Sequence, residues 1–298
     1  MMMKRVAFWF VVFLFIFVIL PVGGVLLWMV VQEVDLLAKP NRLGVIEVNG
    51  MIKNGTPVLE ALKKFGEDPN IRSVVVRIES PGGGVGPSQE IYREVRRFRS
   101  LKPVVASLGS IAASGGYYVA AACNTIVANP GTLTGSIGVV VHLPKLQGLF
   151  DRIGYETVTI KSGPYKDIGN PGRDITAEER RVLEETVEAV HGQFVKDVAK
   201  ARGLPEEAVR SIADGRIFTG EHAQSLGLVD ELGNLEDAFA LAAKLGGIEG
   251  KPVIVYAEKK KVTLWDVILS GSFLDRFRTA LDPSEAVNPL RYQWSLWP

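Results

Sequence analysis

Hydrophobic and polar positions divide the chain into an unbroken apolar stretch, a long patterned region and an unpatterned tail. Residues 6–31 carry no charge, and 23 of these 26 positions are hydrophobic. At about 1.5 Å per residue the stretch reaches roughly 39 Å, more than the ~30 Å hydrocarbon core of a bilayer. Lys4 and Arg5 precede it, and Glu33 and Asp35 follow it. The excess of positive charge at the N-terminal end predicts that residues 1–5 are cytoplasmic, that residues 6–31 span the lipid bilayer once, and that the rest lies outside the cytoplasm. A cleaved signal peptide with its apolar region at 7–20 is the alternative. No A-x-A site follows that region, and Val25–Val31 resumes the apolar run past Pro21-Val-Gly-Gly.

Residues 32–42 read as a juxtamembrane linker, and residues 43–257 as one patterned domain. Apolar or β-branched runs at 43–48, 73–78, 103–108, 126–128, 137–141, 157–160 and 252–256 predict strands. Between them, helices are expected at 57–65, 88–98, 117–122, 205–212 and 235–245, with another starting at Thr219. The clearest helix opens at Thr176-Ala-Glu-Glu179, which has capping-box spacing. Val182, Thr186, Val190, Phe194 and Val198 recur along it at i+4, and Gly203 closes it. Strand–helix alternation of this kind predicts an α/β fold built on parallel sheet. The tail, 258–298, begins with Lys259, Lys260 and Lys261 and shows no core periodicity.

Composition narrows the chemistry. The 298 residues carry 34 Lys plus Arg against 33 Asp plus Glu, a net charge of +1, which gives no support to a nucleic-acid partner. A single cysteine, Cys123, removes any disulfide framework. The three histidines, His142, His191 and His222, form no ligand pair, so neither a metal nor another cofactor is expected. Without the apolar stretch the hydrophobic fraction falls from 47% to about 43%, ordinary for a globular domain.

Two segments could carry chemistry. In Leu108–Gly138, small residues and glycines crowd Ser114 at a strand-to-helix turn, where backbone N–H groups can stabilise a developing oxyanion. The same position suits a plain helix N-cap. The loop Ser80-Pro81-Gly82-Gly83-Gly84 follows a strand and can bring its backbone close to a substrate, or serve simply as a turn. A nucleophilic Ser114 needs a base. The histidines read better as structural residues, which leaves a lysine in an apolar setting. Lys166, between Tyr165 and Asp167 in a Gly/Pro-bounded loop, stands out by its surroundings, although most lysines are simply surface charges.

In order along residues 43–250, Ser-Pro-Gly-Gly-Gly, Gly-Ser-Ile-Ala-Ala-Ser-Gly-Gly-Tyr-Tyr, Leu-Thr-Gly-Ser-Ile-Gly-Val, Ser-Gly-Pro-Tyr-Lys-Asp, Gly-Arg-Ile-Phe-Thr-Gly and Leu-Gly-Leu-Val-Asp-Glu-Leu-Gly resemble the signal peptide peptidase SppA family. The single unduplicated domain and N-terminal anchor resemble its short form. The resemblance implies a ClpP/crotonase-like fold and a membrane-anchored serine endopeptidase acting on signal-peptide remnants and other short hydrophobic peptides. It implies Ser114 as nucleophile, Lys166 as general base and Ser136 as the residue that orients the lysine. Gly83 and Ser114 would supply the oxyanion N–H groups. It further implies an octamer-like homo-oligomeric ring whose sites draw on neighbouring subunits. Adjacency adds Gly84, Val85, Ile137 and Gly138 as expected substrate contacts. A crotonase-like acyl-CoA enzyme or another membrane-bound Ser-Lys peptidase is the alternative.

Overall fold

A computed structural model describes residues 13–38, 41–257 and 290–293. Its centre is a largely parallel sheet in the spatial order β10 (Val253–Tyr256), β1 (Arg42–Asn49), β2 (Ile71–Ser80), β4 (Val104–Ala113), β5 (Thr125–Ala128), β9 (Glu231–Leu232). Off this path, β6 (Leu133–Gly135) pairs in parallel with the far end of β4, and β8 (Ile217–Thr219) pairs antiparallel with β6. A second, antiparallel sheet joins β3 (Gly82–Gly84), β11 (Leu290–Gln293) and β7 (Val140–Val141).

The β-branched runs form the central strands because both faces of the sheet are covered. Val74, Val76 and Ile78 point into the larger core, with Leu62 and Phe65 of the helix Thr56–Glu67 and Ile91, Val95 and Phe98 of the helix Val85–Phe98. Phe194, Val195 and Val198 of the helix Ala177–Arg202 close the same core. On the opposite face Leu43, Val45, Val75, Val105 and Val127 pack against Ala238, Phe239, Ala242 and Ala243 of the helix Leu235–Leu245.

The expected long helix begins at its capping box: Thr176 Oγ1 accepts from the Glu179 N–H, and Glu179 Oε2 accepts from the Thr176 N–H. It ends at Gly203 in the left-handed conformation (φ 66°). Several local expectations are corrected. Residues 157–160 form no strand: Val158 and Ile160 are almost fully exposed, and no strand among the described residues pairs with them. The glycine loop is itself a short strand, and its helix starts at Val85, three residues early, with Pro87 inside the first turn where no N–H is missed. Only Val140–Val141 of the expected strand 137–141 forms, while β6 just before it was not anticipated. The tail contributes β11 between β3 and β7.

Residues 1–12 lie outside the described residues, and with them the start of the expected membrane span. A π-helical stretch, Phe15–Ile19, leads into the helix Leu20–Ala38. Every large apolar side chain from Phe13 to Met29 is exposed. Among the described residues no helix is long and apolar enough to cross a membrane.

Candidate active site

Three chain segments meet where β2, β4 and β6 end. Ser80 of β2 lies opposite Ala112 of β4, and Ala113 of β4 lies opposite Gly135 of β6. Ser114 and Ser136 therefore leave adjacent strands side by side, and the glycine strand β3 turns off β2 next to them. The turn is held by Ser80, whose Oγ donates to the Gly50 carbonyl at 2.6 Å and accepts the Gly82 N–H at 3.1 Å.

Close backbone approach explains the small residues. A Cβ on Gly83 would sit 2.3 Å from the carbonyl oxygen of Ile52 and 2.5 Å from its nitrogen. That contact is fastened from both sides: the Ile52 N–H donates to the Gly82 carbonyl and the Gly84 N–H to the Ile52 carbonyl, each at 2.8 Å. A Cβ on Gly116 would meet the Ser80 carbonyl at 2.7 Å, so the helix Gly115–Ala121 starts directly against the end of β2.

Backbone strain marks the same two serines. Among the described residues, Ser114 (φ 53°) and Ser136 (φ 49°) are the two non-glycine residues with positive φ. Such conformations cost roughly 1–3 kcal/mol each and persist where surrounding contacts enforce them. Here the Ser114 N–H donates to the Gly135 carbonyl and the Ser136 N–H to the Arg216 carbonyl, both at 2.8 Å. Ser114 is 1% exposed, and its Oγ is buried without a hydrogen-bond partner. A hydroxyl used as an N-cap would be bonded to the first turn of its helix; this one is not.

The engaged Ser114 N–H corrects one expectation, because a donor already bonded to Gly135 is not free to bind an oxyanion. The next N–H in the chain is that of Gly115, the first residue of the helix. Of the expected substrate contacts, Gly84 is buried in β3 and Val85 is partly buried against the main core. The side chain of Ile137 is fully buried, which leaves only its backbone to meet a substrate. Gly138 is partly exposed beside Gly215.

Among the described residues Lys166 makes no hydrogen bond to Ser114. It is exposed, and among the described residues its side chain has no ion pair or hydrogen bond. It sits on a segment with no core of its own: from residue 138 to residue 178, 41 positions, no residue is buried. A cavity of about 710 Å³ lies between this arm and the long helix, lined by Val139–Val141, Leu143, Leu183 and Val187 and by neither Ser114 nor Lys166. None of the histidines serves Ser114: His142 is exposed, His191 lies near Glu188, and His222 stacks edge-on against Phe218.

Comparison with known proteins fits this geometry. The profile of peptidase family S49 matches residues 96–249, just over half of the chain. A protease-named protein of Synechocystis sp. is 47% identical over 210 residues, which cover 70% of this chain and 76% of that protein. An SppA-named protein of Enterococcus faecium is 39% identical over 199 residues, 66% of this chain and 58% of its own length. Protease 4 of Salmonella typhi is 34% identical over 239 residues, 77% of this chain and 38% of its own length.

Proposed function

The chain belongs to peptidase family S49, within the SppA family, and is a serine peptidase; from that premise we propose that it is a membrane-anchored endopeptidase whose Ser-Lys dyad is completed between copies of the chain. The buried, unpartnered Oγ of Ser114, held on a strained backbone beside Ser136, carries the reading. Ser114 attacks the peptide carbonyl, Lys166 takes its proton as a neutral amine, and the lysine then activates the water that hydrolyses the acyl-enzyme. Ser136 holds the amine towards Ser114. With the Ser114 N–H engaged, the oxyanion donors become the N–H of Gly115 and, once β11 gives up its place opposite Gly83, the N–H of Gly83. Family membership leaves no role for the acyl-CoA alternative.

Two observations favour assembly between copies. Lys166 is exposed and unpaired on an arm without buried residues, whereas Ser114 is buried and lacks a partner. The arm also carries uncovered Leu149, Ile153, Tyr155, Val158 and Ile160. We read these as the contact that brings Lys166 of one copy to Ser114 of the next within a homo-oligomeric ring.

The second sheet supports a peptide substrate. In the antiparallel arrangement of β3, β11 and β7, Tyr292 lies opposite Gly83, and Arg291 opposite both Gly84 and Val140. An extended peptide taking the place of β11 would run beside Gly83 in the same way, with side chains read alternately along it. The uncharged run at 6–31 and the exposed apolar side chains at 13–29 support a bilayer anchor, with the catalytic domain outside the cytoplasm. An anchored site of this kind suits short hydrophobic peptides left in the membrane, such as signal-peptide remnants.

Mixing two dead variants tests the reading. Ser114→Ala and Lys166→Ala should each lose about 10³-fold or more in kcat. Co-expressed at equal amounts, they should regain about one quarter of wild-type activity in a closed ring that pairs each serine with a neighbour's lysine. No recovery from mixed assemblies would return the dyad to a single chain, and labelling of Ser114→Ala by a fluorophosphonate would remove Ser114 as nucleophile.

A further inference from the structure

The loop that carries Lys166 has no apolar anchor, yet it is tied down by charge. Lys161 Nζ donates to the Pro164 carbonyl at 3.0 Å and to Asp167 Oδ1 at 2.6 Å. Arg173 Nε donates to Asp167 Oδ2 at 3.1 Å, and its Nη2 reaches the Asp167 carbonyl at 3.3 Å. The same guanidinium grips Glu179 with both ends, Nη1 to Oε2 at 2.8 Å and Nη2 to Oε1 at 2.5 Å. Glu179 is 3% exposed and is the first buried residue after Ile137.

Glu179 is a firm post. It closes the capping box with Thr176, and its helix is fixed further along by Phe194, Val195 and Val198 in the core. At the helix's end Arg202 grips Asp230 through two bonds of 2.9 and 2.6 Å. A continuous hydrogen-bonded path therefore runs from the domain core through Glu179 and Arg173 to Asp167, the residue next to Lys166.

The same path disposes of a carboxylate. An Asp beside a lysine stabilises the ammonium form and so opposes its use as a base. Both oxygens of Asp167 are already occupied, one by Lys161 and one by Arg173. The charged groups around the loop, besides Lys166, are Lys161, Asp167, Arg173 and Asp174 on the loop itself, Lys145, which pairs with Asp174, and Glu178, Glu179 and Arg180 on the helix. Of these, Lys161 and Arg173 are bonded to the carboxylates of Asp167 and Glu179 as one set.

We propose that Arg173, assisted by Lys161, is the positioning residue for the Lys166 base: it clamps the loop to Glu179 and keeps the Asp167 carboxylate from pairing with the Lys166 amine. This rests on the reading of Lys166 as general base. Arg173 acts through Asp167 and Glu179 and touches neither substrate nor nucleophile.

The test is the pH dependence of kcat/KM on a small peptide ester, using the full chain in detergent with active sites counted by fluorophosphonate labelling. Arg173→Gln releases Asp167 Oδ2 and removes a nearby positive charge, and both changes favour the lysine ammonium. The acid limb should move up by about one pH unit, with kcat per labelled site reduced about tenfold. Adding Asp167→Asn to Arg173→Gln should return the limb to its wild-type position. Arg173→Lys, which keeps the charge but loses the two-ended grip, should hold the limb near wild type while restoring kcat only in part. An unmoved limb in Arg173→Gln, or a limb that stays shifted in the double variant, overturns the inference. Lys166→Ala, measured alongside, separates the two readings: wild-type activity there defeats the base assignment, whereas a dead Lys166→Ala beside an unmoved Arg173→Gln limb defeats only the role of Arg173.

Discussion

Replacing Gly83 by alanine tests whether the glycine strand is held by its contact with Ile52. The added Cβ would lie 2.3, 2.5 and 2.7 Å from the Ile52 carbonyl oxygen, nitrogen and carbonyl carbon, all backbone atoms that no rotamer change can move aside. Reaching ordinary contact requires β3 and residue 52 to separate by about 1 Å. That separation breaks or stretches two 2.8 Å bonds, from the Ile52 N–H to Gly82 and from the Gly84 N–H to Ile52. At about 1 kcal/mol for each bond and roughly 1–3 kcal/mol for overpacking, the cost is about 3–5 kcal/mol. For a domain of this size that corresponds to a Tm lowered by about 10 °C. Activity should fall further, by about 10²–10³ in kcat, because the N–H of residue 83 moves off the position proposed for the oxyanion. Gly86→Ala is the internal control: nothing lies within 4 Å of its Cβ, and the position is helical. It should gain about 0.5–1 kcal/mol. The assays are differential scanning calorimetry and steady-state hydrolysis of a peptide ester on the same preparations. A Gly83→Ala protein melting within 2 °C of wild type, with kcat within threefold, would refute the reasoning.

Three further outcomes are expected. Ser114→Gly should be inactive yet melt higher than the equally inactive Ser114→Ala, because glycine accepts φ 53° without the roughly 1–3 kcal/mol that other residues spend there; a Ser114→Gly protein melting at or below Ser114→Ala argues against strain at this turn. Arg173 foremost, helped by Lys161 at Asp167 and by the Thr176 N–H at Glu179, holds both carboxyls down to about 2. Such depressed groups stabilise the arm fully above their unfolded values near 4 and lose that contribution as pH falls towards 2. Amide hydrogen exchange across 161–176, corrected for intrinsic rates, should rise in that window; flat protection there would contradict the network. Cys123 is buried with its thiol pushed up to about 12 by desolvation, so iodoacetamide at pH 8 should label it only after unfolding, and rapid labelling of the native protein would contradict its packing.

Legibility followed the range of the interactions. The long helix could be read because its start and stop are local: Thr176, Glu179 and Gly203 do in the structure what their spacing requires. The helix Leu235–Leu245 and the β-branched runs of β1 and β2 were legible for the same reason, each carrying its own periodicity and burying the matching face. Gly82–Gly84 carries no strand signal, and it becomes one through Ile52 and a strand more than 200 residues away in sequence. Residues 157–160 have the alternation of a strand, yet β propensity describes fitness for a half-buried pleated surface, and within the chain no such surface receives them. Ser114 and Ser136 could be picked out from the glycines around them. That their backbones would both be strained, and that the Ser114 N–H would be spent on Gly135, depends on the pairing of β4 with β6, a contact between strands separated by a helix and a further strand.

The clamp at Arg173 left no such trace, and the reason is physical. In the assembly proposed above, an arm whose apolar side chains meet another copy of the chain cannot also bury them to hold itself in place. Within one chain its fixation must come from polar contacts, and these leave no periodic pattern, because Lys161, Asp167, Arg173 and Glu179 are brought together by turns. Exposed ion pairs contribute little, but this set ends on a carboxylate that is 3% exposed and gripped at both oxygens, where charge-assisted bonds are stronger and better directed. Bonds to both oxygens of Glu179, together with those to Asp167, fix the guanidinium in direction as well as distance, which a single lysine contact would not. In the proposed dyad the direction matters, because a base that must meet a serine supplied by a neighbour has to be aimed before the two subunits join.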